Sequence, residues 1–119
     1  SNPFLPKNYG RNCVCYTGTH DNDTTRGWFE KLSERERLMF SRLVPADESG
    51  SAVLSLIAYA MRSKAETVII PMQDYLQLDS CDRLNTPGVP SENWEWRIAQ
   101  NALNEEVLKT VRRLTALRK

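Results

Sequence analysis

The sequence lacks an excess of charge of either sign. Its 119 residues include 16 Lys and Arg side chains against 15 Asp and Glu, which gives a formal net charge of +1. Proteins that bind nucleic acid or anionic membranes carry an excess of basic residues on one surface, and this balance provides none. We therefore expect no nucleic acid and no membrane among the partners, and a neutral substrate fits better.

Long hydrophobic runs are also absent. No apolar stretch approaches the roughly 20 residues needed to span a bilayer, and Ser1–Pro6 lacks the basic and then apolar profile of a signal peptide. These absences predict a cytoplasmic protein. With 40% hydrophobic residues, the chain is nevertheless too apolar for disorder and long enough for one globular domain.

Metal-ligating residues are few. The three cysteines, Cys13, Cys15 and Cys81, match no zinc or redox spacing, so we expect reduced, buried packing thiols. The chain has a single histidine, His20, and no second cluster with ligand spacing. We expect no metal and no cofactor, although His20 with Asp21 and Asp23 has the atom types for a metal site.

Two short apolar runs predict parallel strands. The first is Cys13–Tyr16, and the second is Thr67–Ile70, a β-branched run without alternation that is typical of a strand covered on both faces. Pro71–Asp74 is predicted to follow the second strand as a loop. The segment Asp79–Asn93 is rich in Asp, Ser, Asn, Pro and Gly, so we expect a long irregular loop that lies over the site.

Four helices are predicted around these strands. The first covers Thr24–Lys31, and the second opens with the capping box of Ser33 and Glu36 and ends at Pro45. The third is the apolar run Ala52–Met61. The fourth is capped by Asn104 and carries the apolar stripe Val107, Leu108, Val111 and Leu114. This order indicates an α/β fold, the last βα units of a (β/α)8 barrel. Because a full barrel needs eight strands in about 250 residues, we expect residues 1–119 to be the C-terminal part of a longer barrel, without a second domain.

The polar run His20–Asp23 follows the first predicted strand directly. In barrels of alternating strands and helices, loops at the C-terminal ends of the strands carry the active site. An imidazole beside a carboxylate suits a polyhydroxylated substrate or a developing positive charge. A purely structural His–Asp pair remains the alternative, and Asp23 is predicted to cap the following helix.

The segment Tyr16–Phe29 resembles a signature of the 4-α-glucanotransferases of glycoside hydrolase family 77, also called amylomaltases or disproportionating enzymes. It contains the run Tyr-Thr-Gly-Thr-His-Asp-Asn-Asp-Thr. Segments similar to later signatures of that family follow in order at Ile70–Leu78, Arg83–Val89 and Asn93–Arg97. The resemblance covers essentially the whole chain.

The resemblance implies an enzyme that transfers a segment of a 1,4-α-glucan to the 4-hydroxyl of an acceptor with retention of configuration. It assigns the third acid of the site to Asp21, as a transition-state stabiliser, and a sugar-binding role to His20. In that family the nucleophilic Asp and the acid/base Glu lie on earlier strands, so the isolated chain is expected to be inactive. The implied partners are α-1,4-glucans, maltooligosaccharides and the upstream remainder of the barrel.

The resemblance also implies substrate-binding residues outside the first loop. Asn85 would line the sugar subsites, with Pro87 and Gly88 fixing the shape of its loop. Gln73 and Asp74 follow the second strand and would either bind sugar or hold a neighbouring loop.

Several interpretations remain open. The tryptophans Trp28, Trp94 and Trp96 have faces that stack on sugars, but core packing or loop anchoring is the simpler prediction for each. An amylase-like hydrolase is the enzymatic alternative to transfer. A noncatalytic maltooligosaccharide-binding or subunit-interface module is the alternative for the chain alone.

Overall fold

The computed structural model describes residues 5–118 and contains a two-stranded parallel sheet with helices packed on one face. The elements are β1 (Val14–Tyr16), α1 (Thr25–Glu30), α2 (Glu34–Leu43), α3 (Ala52–Met61), β2 (Thr67–Ile69), α4 (Met72–Tyr75) and α5 (Glu105–Thr115), with 3-10 helices at Pro6–Asn8 and Ser80–Asp82. In the sheet, Cys15 lies opposite Val68. The predicted α/β class is confirmed, while the signal-peptide prediction rests mainly on residues 1–4, which lie outside the described range.

Side-chain caps set the starts of the longer helices. The Ser33 hydroxyl accepts from the Glu36 amide at 3.2 Å, and the Glu36 carboxylate accepts from the Ser33 amide at 2.8 Å, so the predicted capping box is confirmed. Asn104 caps α5 through a 3.0 Å bond from the Val107 amide. These bonds satisfy amides that have no partner within their own helix.

The core is centred on α3, as its apolar sequence predicted. Ile57 and Ala58 of α3 are fully buried, and so is Leu114 of α5. Val68 and Ile70 pack against this cluster from the second strand and the residue after it. The helix therefore lies between the sheet and α5, and it fixes the strands relative to the C-terminal helix.

Three burial predictions are wrong for the described chain. Of the cysteines expected to be buried, Cys15 is buried, but Cys13 is partly exposed and Cys81 is exposed. Side chains alternate along a strand, and here Cys15 is buried against helices while Tyr16 and Ile69, on the other face, are 49% and 47% exposed. The second strand is therefore covered on one face only. In α5, Leu108 is 42% exposed, because the helix is anchored through the side that carries Leu114.

The predicted loop after β2 contains a short helix, α4. Its first turn begins at Pro71, where the missing amide costs nothing, and the Asp74 amide donates to the Pro71 carbonyl at 2.9 Å. Four helical residues are too few to produce a periodic pattern, so this helix could not be predicted from the sequence.

A partly buried ion pair connects α5 to the loop before α3. The Arg113 guanidinium donates two bonds to the Asp47 carboxylate, at 2.7 and 3.0 Å, and Asp47 is only 7% exposed. These bonds, together with two from Ser49, hold the pKa of Asp47 well below its usual range despite the opposing effect of burial. The charged form of Asp47 is therefore the form that the fold requires.

Replacement of Asp47 by Asn should lower the free energy of unfolding by about 1.5 to 3 kcal/mol at pH 7, the scale for hydrogen bonds to charged groups. Because the folded pKa is depressed, wild-type Asp47 stabilises the fold above its unfolded pKa of about 4 and loses this contribution as the pH falls further. The difference in the free energy of unfolding between wild type and Asp47→Asn should then narrow. Urea denaturation at a series of pH values measures it.

The matched control is Glu48→Gln. Glu48 is 3.6 Å from the same guanidinium, but its side chain is 76% exposed, so its loss should cost less than about 1 kcal/mol. Equal losses in the two variants would contradict the role given to Asp47.

Candidate active site

The polar loops of the chain meet at one edge of the sheet because parallel strands end on the same side. There they line a cleft of about 550 Å³. Tyr16 and Ile69 contribute from the strands, and His20, Gln73 and Asp74 contribute from the loops that follow. Three of the predicted site residues thus surround one cavity.

Asp21 lies beside His20 and Asn85 at the surface of this region. Its Oδ1 accepts from Asn85 Nδ2 at 2.6 Å, and its Oδ2 lies 3.2 Å from His20 Nε2. The side chains of His20 and Asp21 are 53% and 52% exposed. A carboxylate offers about four acceptor positions, so two fixed contacts orient Asp21 and leave acceptor capacity for a ligand's hydroxyl groups.

Arg83 ties the Asp21 loop to the Asn85 loop. Its Nη2 donates to the Asp21 carbonyl and its Nε to the Asn85 carbonyl, both at 3.1 Å. Sequence reasoning assigned Arg83 no role, although it opens one of the segments that resemble family signatures. Its function depends on two carbonyls that come together only in the folded chain.

Asp74 lies beneath the loop that carries Asp21. It is 2% exposed, and its carboxylate accepts from the Thr25 amide at 2.9 Å, the Thr25 hydroxyl at 2.6 Å and the Thr17 hydroxyl at 2.7 Å. Thr17 precedes the loop and Thr25 begins α1. Of the two roles considered for Asp74, these contacts support holding the neighbouring loop.

Asp23 does not cap α1, contrary to the prediction. The cap is Thr24, whose hydroxyl accepts from the Gly27 amide at 3.1 Å. Asp23 instead accepts from Ser80 Oγ at 2.8 Å and Lys31 Nζ at 2.9 Å. Burial opposes the charged form, but the bonds from Lys31, Ser80 and Thr24 outweigh it and lower the pKa of Asp23.

Gly27 permits this arrangement. A β-carbon at that position would overlap both the Ser80 hydroxyl and the Asp23 carboxylate. The close approach of α1 to the 3-10 helix at Ser80–Asp82 therefore requires glycine, which explains a helical position that intrinsic preference disfavours.

Pro87 and Gln73 are the remaining predicted site residues. Thr86–Val89 forms a β-turn in which the Val89 amide donates to the Thr86 carbonyl at 3.1 Å and Gly88 has φ of +82°. Proline followed by glycine is the pattern of a type II turn, so Pro87 shapes the loop that follows Asn85. Gln73 lines the cleft, and its side chain donates to the Asp82 carbonyl at 3.4 Å.

The three tryptophans have different environments. Trp28 makes an edge contact with Phe40 but is 44% exposed, so core packing is wrong for it. Trp96 donates its indole N–H to Asp82 at 3.0 Å, which supports the loop anchoring predicted for it. Trp94 is 60% exposed, with its ring centroid 5.2 Å from that of His20. Core packing is therefore wrong for Trp94, which lies against His20, a residue that lines the cleft.

Residues 5–118 contain neither a cluster of metal-ligating side chains nor a helix that could span a membrane. No group of three or more His, Cys, Asp or Glu side chains there is arranged to hold a metal ion. None of the helices in this range is both long and apolar enough to cross a membrane.

The fold and the cleft define an α/β protein with its site at the C-terminal edge of parallel strands. A family model described as 4-alpha-glucanotransferase matches residues 1–103. The chain belongs to that family, glycoside hydrolase family 77. This assignment confirms the resemblance seen in the sequence.

Curated relatives and a solved structure agree with this membership. The chain is 42% identical over 118 residues to the 4-alpha-glucanotransferase of Clostridium butyricum, covering 98% of this chain and 24% of the relative. With the enzyme of Thermus thermophilus it shares 43% identity over 114 residues, covering 88% and 22%. The amylomaltase from Streptococcus agalactiae in complex with acarbose superposes with a TM-score of 0.90 at 27% identity, covering 97% and 23%. The chain thus spans about a quarter of the length of these relatives.

We expect Asp74→Asn to destabilise the protein by about 1 to 3 kcal/mol, because an amide oxygen cannot replace a carboxylate that accepts three buried bonds. Urea denaturation measures the loss. Thr17→Val should cost less, since it removes one of the three donors. An Asp74→Asn protein as stable as wild type would contradict the role of this carboxylate.

Proposed function

We propose that residues 1–119 form the C-terminal part of a single (β/α)8-barrel domain in a longer 4-α-glucanotransferase. That enzyme transfers a segment of a 1,4-α-glucan to the 4-hydroxyl of another glucan or glucose, with retention of configuration. Family membership supports the reaction. The similar S. agalactiae protein was solved with acarbose, a maltooligosaccharide analogue, which supports a glucan ligand. We place the enzyme in the cytoplasm.

The observation that carries this proposal is the oriented carboxylate of Asp21. Asn85 and His20 hold its two oxygens at 2.6 and 3.2 Å while the side chain stays half exposed beside the cleft. A carboxylate that is fixed in this way before a sugar arrives loses little freedom on binding it. Such preorganised acceptors are what hydroxyl-rich, partly cationic transition states require.

The mechanism assigns binding and orientation, not bond cleavage, to this chain. Retaining transfer uses a nucleophilic carboxylate and an acid/base carboxylate about 5 to 5.5 Å apart, and we assign both to the upstream part of the barrel. Asp21 accepts bonds from ring hydroxyls of the glucose at the cleavage point, and these bonds strengthen as the oxocarbenium-like state develops. His20 binds the same sugar.

Asn85 and Gln73 supply the remaining polar contacts of the proposed subsites. The Asn85 amide donates one N–H to Asp21 and keeps a second N–H and its carbonyl oxygen for sugar hydroxyls. Pro87 shapes the loop behind Asn85, and Asp74 holds the Asp21 loop from below. The arrangement therefore combines two sugar-facing amides with one residue that shapes the Asn85 loop and one that holds the Asp21 loop.

The open face of the sheet supports a partner within the same protein. Val14, Tyr16 and Ile69 are each nearly half exposed on the face opposite the helices. In a closed barrel, side chains on this face fill the interior. We assign the cover of this face to the upstream strands.

Asp21→Asn in the full-length enzyme should lower kcat by about 10²- to 10³-fold with a smaller change in KM, because the lost interaction is strongest in the transition state. Disproportionation of maltotriose, followed as glucose release, measures both constants. Glu66→Gln is the control, since Glu66 is an exposed carboxylate at the opposite end of β2 and should leave both constants unchanged. Normal turnover in Asp21→Asn would overturn the assignment.

Product analysis separates glucan transfer from hydrolysis and from binding without catalysis. Transfer from maltotriose gives longer chains together with glucose. Shortening without longer products would identify a hydrolase, and saturable binding without turnover by the full-length protein would identify a binding module. Either result would reject the proposed reaction.

A further inference from the structure

Trp94 combines an exposed ring with an unusual backbone. The residue has φ of +64°, a left-handed conformation in which a bulky side chain is a genuine outlier. Its indole is 60% exposed, so burial of apolar surface does not account for this geometry. Strained residues of this kind persist where the surrounding structure holds them, and they cluster at functional sites.

The surrounding loop holds Trp94 in place through polar contacts. The Trp94 amide donates to the Leu84 carbonyl at 2.7 Å. The preceding Asn93 accepts from the Thr86 amide at 2.9 Å and donates to the Val89 carbonyl at 2.6 Å. The loop is therefore closed on itself, with Asn85 at its start and Trp94 at its end.

The two ends of this closed loop contact neighbouring residues of the site. Asn85 binds the Asp21 carboxylate, while the indole of Trp94 lies against the imidazole of His20 at an angle of 33°. His20 is itself 53% exposed, and its other contact at the site is the 3.2 Å approach to Asp21. Together a ring contact and a polar contact restrict both torsions of an otherwise free side chain.

We propose that Trp94 is a positioning residue that holds the His20 imidazole in the orientation required for glucan transfer. The inference rests on the proposed function, because it specifies how one sugar-binding residue of that site is kept ready. Contact between two ring faces uses no ring nitrogen as a hydrogen-bond partner, so it orients the imidazole without competing for its nitrogens. Asp21 and an incoming sugar retain those nitrogens.

The test is a double-mutant cycle in the full-length enzyme with maltotriose as substrate. Trp94→Leu keeps a β-carbon on the same backbone and removes the aromatic face, whereas Trp94→Phe keeps both. We expect Trp94→Leu to lower kcat about 3- to 10-fold, the range for an aromatic pair, with a smaller change in KM. Trp94→Phe should restore at least half of the wild-type kcat.

The second arm of the cycle uses His20→Ala. If Trp94 acts through His20, Trp94→Leu should change kcat by less than about 2-fold in the His20→Ala background, because residues that share one function are not additive. Trp96→Leu is the matched control from the same segment. This variant loses the bond from Trp96 to Asp82 but keeps the contact of Trp94 with His20. Its effect on kcat should therefore be the same in the wild-type and His20→Ala backgrounds.

The outcomes separate this inference from the function on which it rests. Equal losses on Trp94→Leu with and without His20, or a Phe variant as impaired as the Leu variant, would overturn the positioning role. A wild-type enzyme without glucan transfer would overturn the proposed function itself. Thermal denaturation checks that each variant is folded, and Trp94→Met replaces Trp94→Leu in the cycle if the latter is not.

Discussion

The site depends on one buried carboxylate, that of Asp74. Its three bonds join Thr17, directly after β1, and Thr25, at the start of α1, to the residue that follows β2 by five positions. Parallel pairing brings the ends of the two strands to one edge, and Asp74 then closes the loop between Thr17 and Thr25 from beneath. Because that loop carries His20 and Asp21, the buried carboxylate of Asp74 determines the position of the exposed carboxylate of Asp21.

The upper side of the site is built from irregular chain. Arg83 and Asn85 bind the Asp21 region through charge-assisted or amide donors, and Trp94 contacts His20. Long loops without regular structure lose conformational entropy on ordering. Here the self-contacts of Asn93, the Pro87–Gly88 turn and the Arg83 bridge offset that cost. This side of the polar site is therefore organised by contacts within irregular chain and not by a helix or strand.

Local sequence signals predicted most of the scaffold and part of the site. Apolar runs, the apolar stripe of α5 and the caps at Ser33 and Asn104 identified the strands and longer helices because these signals depend on neighbouring residues. Signature segments placed Asp21 and Asn85 in one site. The sequence left two roles open for Asp74, and it did not predict the bridge from Arg83 or the contact of Trp94 with His20, because each depends on partners distant in sequence. Burial on α5 and β2 failed for a related reason, since it depends on which surfaces neighbouring elements cover.

The central claim is that Asp21 accepts hydrogen bonds from the sugar at the point of transfer. A crystal structure of the full-length protein with a bound maltooligosaccharide tests it most directly. The account predicts a glucose ring in the cleft with its hydroxyl oxygens about 2.5 to 3.0 Å from the Asp21 carboxylate, with His20 and Asn85 beside it. A sugar bound elsewhere, with Asp21 in contact with solvent alone, would contradict the account.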